Sequence, residues 1–292
     1  MLVLISTIFL SPNEPIRYTS FMIAKESYHN LLLKLQNDII YADVLNVLTD
    51  KLSPLSAQLY PKSIFFAYLP KSGSTFFLMV LKELTGFTLS NLSWGYNQNE
   101  QNLHYTQFIK YKDNSHISKL MSKATDTNLM CLKLFAVKPV ILTRPLSDII
   151  ISLYDHFETI NPYWPQFFIP KDYAQFSKEK KLDLFIDHFT PWFIDFLVSW
   201  TQADDTLNKQ LLWLNYKDLT QNTQNSCEQV LAYYDIKGVD LTDIETIKTK
   251  SKIERFYYNK GIEGRGKATL SNKQLQRIES FFVHYPHLKK WI

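Results

Sequence analysis

The sequence predicts an α/β fold: a central parallel sheet flanked by helices, with a helical extension at the N-terminus. Three observations carry that prediction. IFFAYL (64–69) is an unbroken apolar run, as expected of a strand covered on both faces. TFFLMVLKELTG follows it as a helical stretch that starts at Thr75 and closes at Gly86, a suitable C-cap. The same order recurs where VILT (140–143) leads into PLSDIIISLYDHFE (145–158), with Pro145 at a first helical position. Strands alternating with helices build parallel sheets.

The other elements follow in chain order. Residues 23–50 carry helical spacing, with Leu31, Leu32, Leu35, Ile39 and Ile40 set among polar neighbours, until SPLS (53–56) breaks it. Residues 1–60 are therefore expected to form an N-terminal helical extension and 61–292 the main domain. LMCLKLF (129–135) reads as a strand preceding VILT. A helix is expected near 182–200, a strand at LLWLNY (211–216), a helix near 224–235 and a last one from Ser271 to Phe282. The stretch 156–176 holds many aromatics and three prolines between two helices. Such a loop suits a lid or an acceptor pocket, or else core packing by Trp164 and Phe168.

Composition narrows the classes. The chain has 292 residues, 46% of them hydrophobic, which is enough for one large core. A net charge of +4 is too small to imply nucleic acid as partner. The opening MLVLISTIFL is too short to span a bilayer and lacks a basic n-region and a cleavage site, so a cytoplasmic protein is expected. Cys131 and Cys227 lack metal-ligand spacing, and no metal is expected. Nine basic residues between Lys248 and Arg277, against Glu254 and Glu263, concentrate positive charge near the C-terminus.

The stretch PKSGST (70–75) joins the first strand to the first helix. Backbone N–H groups at such a junction, together with the helix dipole, attract an anion. Gly73 permits close approach, Ser72, Ser74 and Thr75 add hydroxyls, and Lys71 adds a mobile charge. An ATP-binding Walker loop does not fit: its first glycine would fall at Tyr68 and its lysine at Ser74.

The order P-K-S-G-[ST]-T after a strand resembles the 5′-phosphosulfate loop of sulfotransferases that use 3′-phosphoadenosine-5′-phosphosulfate (PAPS). Three further segments resemble that family. In VILTRPLSDIIIS, Arg144 at a strand end and Ser152 eight residues later match the pair that contacts the donor's 3′-phosphate. LNYKDL (214–219) is similar to the family's Y-E-D-L segment, so that Tyr216 would lie near the adenine. NKGIEGRGK (259–267) resembles the C-terminal R-K-G-x-x-G-x-x-K loop, with Lys260, Gly261, Gly264 and Lys267 matching and Asn259 in place of the arginine.

The resemblance, which spans roughly 60–292, implies a P-loop-NTPase-like sulfotransferase fold, PAPS as sulfuryl donor and a small-molecule acceptor. Lys71 would stabilise charge on the departing 3′-phosphoadenosine-5′-phosphate (PAP), and Phe76 stands where the family stacks a tryptophan on adenine. One feature departs from the cytosolic branch. Its catalytic histidine, in K-T-H on the strand before the arginine strand, has Lys133-Leu134-Phe135 as nearest counterpart. Glu100, His104 and His156 are the candidates for a replacement base. A nucleotide-dependent kinase with a degenerate phosphate loop and a non-catalytic PAP- or PAPS-binding protein remain as alternative readings.

Overall fold

The structure is a computed structural model that describes residues 60–95, 100–159, 168–206, 210–253 and 263–292. The expected N-terminal extension lies outside the described residues, save Tyr60 at its end, as do Lys260, Gly261 and Trp164.

Five parallel strands form one sheet in the order β2-β3-β1-β4-β5. They are β1 (Ser63–Tyr68), β2 (Thr88–Leu89), β3 (His116–Leu120), β4 (Pro139–Thr143) and β5 (Leu212–Asn215). Side chains alternate across the sheet. Ile64, Phe66, Val140, Leu142 and Leu214 enter one layer with Phe77, Val230 and Ile244. Phe65, Ala67 and Ile141 enter the other with Leu132, Ile149, Phe185 and Phe189.

The first layer takes α1 (Ser74–Thr85), α7 (Thr223–Tyr233) and α8 (Ile244–Ile253). The second takes α3 (Asp126–Leu134), α4 (Leu146–Thr159) and α5 (Lys178–Thr206), which continues through Pro191. Shorter helices α2 (Tyr105–Lys110), α6 (Tyr216–Gln221) and α9 (Arg265–Thr269) join these, and α10 (Asn272–Ser280) lies against α5. Ser271 and Gln274 form a reciprocal capping box at the start of α10.

The elements expected at 64–69, 75–86, 140–143 and 145–158 are all present. Gly86 closes α1 in the left-handed region at φ 70°, its N–H donating to the Lys82 carbonyl. LMCLKLF is not a strand. It belongs to α3, which Thr125 caps by accepting the Asn128 N–H. Its buried positions, Asn128, Cys131, Leu132 and Leu134, follow helical rather than alternate spacing. The strand beside β1 is instead HISKL, in β3, whose His116 and Ser118 are buried polar groups. Tyr216 is not in β5 but opens α6, because the Asn215 side chain caps that helix at the Asp218 N–H.

Neighbouring central strands β1 and β4 send their helices to opposite layers, α1 to one and α4 to the other. The carboxyl ends of β1 and β4 therefore flank a crevice, the position where open α/β sheets bind ligands. Among the described residues no helix is long and apolar enough to cross a membrane.

Candidate active site

The loop between β1 and α1 supplies one wall of the crevice. Gly73, at φ 82° and ψ 6°, is the N-cap of α1 and makes no side-chain cap bond, and no acidic residue occupies the first turn. The first N–H groups of the helix thus face the loop without a cap, as an anion site requires. Lys71 also has positive φ, 59°, which is uncommon for a residue with a side chain. The Ser72 hydroxyl is buried with no hydrogen-bond partner among the described residues.

A second lysine reaches the same loop. Lys119, on β3, donates to the hydroxyls of Ser74, at 3.3 Å, and Thr75. Its ammonium also sits 4.9 Å from the Tyr68 ring centroid. A hydroxyl that accepts from Lys119 keeps its own proton free to donate onward. Phe76 is buried among the core side chains around α1.

The other wall begins at the end of β4. Arg144 is only 4% exposed. Its Nη1 donates to the Lys71 carbonyl at 2.9 Å, and its guanidinium packs 4.0 Å from the Tyr216 ring centroid. Tyr216 also lies against the loop, for a Cβ added at Gly73 would meet its Cδ2 at 3.1 Å. Ser152 is buried two turns further along α4. Asp148 lies 3.9 Å from Arg144 Nε and accepts the N–H groups of Gly264 and Gly266. Lys267, by contrast, is exposed on α9.

The electrostatics follow from this crowding. Burial first, and then the neighbouring Arg144 charge, bring the Lys71 pKa down to about 8, while Asp155 opposes the fall. Burial lowers that of Arg144 too. A site that penalises its own cations favours an incoming anion. With the uncapped helix end and the unpartnered Ser72 hydroxyl, the residues fit the phosphate-bearing donor that the sequence implies.

By overall structure the chain is similar to a mouse sulfotransferase, SULT7A1, complexed with PAP. The TM-score is 0.55 at 15% identity, over 82% of this chain and 90% of that one. The chain has the sulfotransferase fold. The sulfotransferase STF1 of Mycobacterium tuberculosis H37Rv also matches, with a TM-score of 0.46 at 10% identity over 97% of this chain and 90% of that one. No family model matches the sequence, and no curated protein matches it.

Within that fold, the counterpart of K-T-H needs correction. Lys133-Leu134-Phe135 lies at the end of α3, not on a strand. The strand beside β1 is β3, where Lys119-Leu120 is followed by Met121, so no histidine stands there either. Lys119 escaped the sequence reading because HISKL lacks the apolar run that marks a buried strand. Its lysine, next to Ser118 and three residues after His116, was the available signal.

The three base candidates occupy different surroundings. Glu100 accepts from the Trp192 indole N–H at 3.1 Å and pairs with Lys123 at 3.0 Å. His104 precedes α2, its Nδ1 2.6 Å from the Thr106 hydroxyl and its ring between Trp94 and Tyr105. Burial lowers its pKa. His156, on α4, is brought down to about 4 by burial and by the Lys71 charge. Among the described residues no cluster of three His, Cys, Asp or Glu could hold a metal.

Proposed function

We propose that the protein is a PAPS-dependent sulfotransferase that moves a sulfuryl group to a hydroxyl or amine of a small-molecule acceptor. The observation that carries this reading is the junction of Lys71 and Arg144. A lysine loop at a helix start and an arginine at the next strand end are joined directly, Arg144 Nη1 to Lys71 carbonyl, at 2.9 Å. The contact holds the lysine loop and the arginine side by side, an arrangement that suits a nucleotide phosphorylated at both 3′ and 5′ ends.

When bound, PAPS supplies the sulfuryl group. The α1 N–H groups, Ser72, Gly73, Ser74 and Thr75 hold the 5′ end, and Lys71 stabilises negative charge there as it develops. Arg144 and Ser152 receive the 3′-phosphate, the guanidinium by paired hydrogen bonds. Tyr216 bounds the adenine, while Phe76, which stands where the family stacks a tryptophan, is buried in the core around α1. By their resemblance in sequence, Lys260 and Gly261, which lie outside the described residues, would also contact the 3′-phosphate. The acceptor is apolar or aromatic, a reading supported by Phe168, which is 90% exposed and so not part of the core.

The acceptor's proton goes to one of Glu100, His104 or His156. Glu100→Gln, His104→Ala and His156→Ala separate them. Loss of the base lowers the rate by roughly 10²–10⁴ while PAP affinity holds.

The test of the whole reading is nucleotide choice, measured by thermal shift and by transfer to an acceptor panel. PAP should stabilise the protein far more than AMP, ADP or ATP at equal concentration. At 100 times its Kd it adds about 2.7 kcal/mol. Preference for ATP that depends on Mg²⁺ overturns the assignment in favour of a kinase. PAP selectivity without transfer overturns the activity and leaves a binding protein, the outcome in keeping with Met121 after Lys119-Leu120.

A further inference from the structure

Asp148 stands one turn after Arg144 on α4 and is 1% exposed. A carboxylate so buried must be compensated. It is compensated from outside its own helix. Oδ1 accepts the Gly266 N–H at 2.7 Å and Oδ2 accepts the Gly264 N–H at 2.8 Å. The same Oδ2 is 3.9 Å from Arg144 Nε.

Shape reinforces the contact. A Cβ on Gly266 would fall 2.2 Å from the Ser147 carbonyl carbon and 2.6 Å from the Asp148 nitrogen, so only glycine lets the two backbones meet. One residue before Gly266 the segment is tied again: Arg265 Nη2 donates to Asp155 Oδ2 at 2.7 Å. Asp148, Ser152 and Asp155 are spaced i, i+4, i+7 and share one face of α4. Residues 264–266 therefore lie along the helix face that carries Ser152.

We propose that Asp148 is a positioning residue: it fastens residues 264–266 beside Arg144 and Ser152, so that recognition of a 3′-phosphate depends on a carboxylate that does not touch the ligand. This rests on the sulfotransferase reading above. The physical chain runs from the Gly266 N–H through Asp148 to Arg144, and from Arg144 to the Lys71 carbonyl. Asp148 thus spends its charge on backbone N–H groups, which leaves the Arg144 guanidinium only partly neutralised and able to attract a phosphate.

The test compares PAP with AMP, which differ only in the 3′-phosphate, and follows amide hydrogen exchange at residues 264–266 without ligand. In Asp148→Asn the Gly264 and Gly266 amides should exchange faster, and PAP affinity should fall about 10- to 100-fold, the loss expected of a charge-assisted hydrogen bond. AMP affinity should stay within about threefold. Gly266→Ala should reproduce that pattern, and the double variant should lose little more than either single one. If these buried variants do not fold, Arg265→Ala loosens the same segment from the half-exposed Asp155 and should weaken PAP alone, by roughly threefold to tenfold. Equal losses for PAP and AMP, additive losses in the double variant, or unchanged PAP binding with faster exchange each overturn the proposal. A wild-type protein that does not prefer PAP to AMP overturns the reading beneath it, and the exchange data then still report whether the clamp exists.

Discussion

The Lys71 loop and the surroundings of Arg144 face the same crevice, but they are assembled differently. The loop is consecutive chain: Lys71 and Gly73 take positive φ, and α1 begins without a cap directly behind them. The Arg144 end is gathered from four separate segments. Arg144 meets the Lys71 carbonyl, the Tyr216 ring and Asp148, and Asp148 meets Gly264 and Gly266. A site whose backbone donors come from one segment, with Lys119 of β3 reaching only its hydroxyls, can lose a side chain without disturbing the rest. A site made from four transmits a change in any of them. The first half should therefore govern rate, and the second affinity and stability.

Lys71→Ala is the largest break in that comparison. Removing one preorganised charge should lower turnover about 10²–10³-fold. PAP affinity should move only a few-fold, because the helix N–H groups and Arg144 remain. Steady-state rates beside equilibrium binding give both numbers, and a variant with near-wild-type turnover takes Lys71 out of the mechanism.

Arg144→Ala should do the reverse. Affinity for PAP should fall roughly 10- to 100-fold while AMP binding changes little, since charged hydrogen bonds to one phosphate are lost. Stability should fall as well, because the Tyr216 ring loses the guanidinium packed on it and Asp148 loses its cationic neighbour. Calorimetric titration with both nucleotides separates the two effects. Equal weakening of PAP and AMP would remove Arg144 from 3′-phosphate recognition.

The same contrast governs what the sequence reveals. PKSGST is legible because all its parts are adjacent and each residue type has a local reason to be there. Arg144 and Ser152 are legible as a pair on one helix turn count. Asp148 is not: an aspartate in a first helical turn reads as a favourable surface charge, and only the fold brings Gly264 and Gly266 to it. LMCLKLF misleads because seven largely apolar residues show no clear period, and the Thr125 cap that decides for helix lies outside the run. HISKL fails for the opposite reason. His116 is buried against the Ser90 hydroxyl, a satisfied polar pair inside a strand, and no rule of alternation anticipates it.

Lys71 also offers a smaller, continuous test. Burial, then Arg144, hold its pKa at about 8 rather than 10.5. The ammonium contributes to anion binding, so PAP affinity should fall as pH rises through 8, by no more than the few-fold that Lys71→Ala costs. Lys71→Arg should flatten the profile, because a guanidinium does not titrate there. The sign for stability is opposite. The folded pKa lies below the unfolded one, so the unfolded chain binds the proton more strongly between about 8 and 10.5. Lys71 therefore opposes folding at neutral pH, and this penalty shrinks as pH climbs through that window. Affinity that stays level across pH 7–9 in the wild type would show that the ligand does not use the Lys71 charge.

Gly73→Ala probes whether the two halves are mechanically separate, and its expected effect is the smallest. At φ 82° an alanine costs about 1–2 kcal/mol in backbone strain. Its Cβ would also press Tyr216 at 3.1 and 3.3 Å, tighter than ordinary contact. The ring also packs on Arg144, so any yielding reaches the guanidinium. A tenths-of-an-ångström shift leaves a 4.0 Å cation–π contact largely intact, and the PAP-over-AMP preference should drop by no more than about threefold. Tm should fall roughly 2–6 °C. In a Tyr216→Ala background the clash disappears, so Gly73→Ala should then cost only its backbone part. A tenfold loss of preference from Gly73→Ala alone would mean that loop and Arg144 cluster respond as one unit, and the division between a local half and a gathered half would fail.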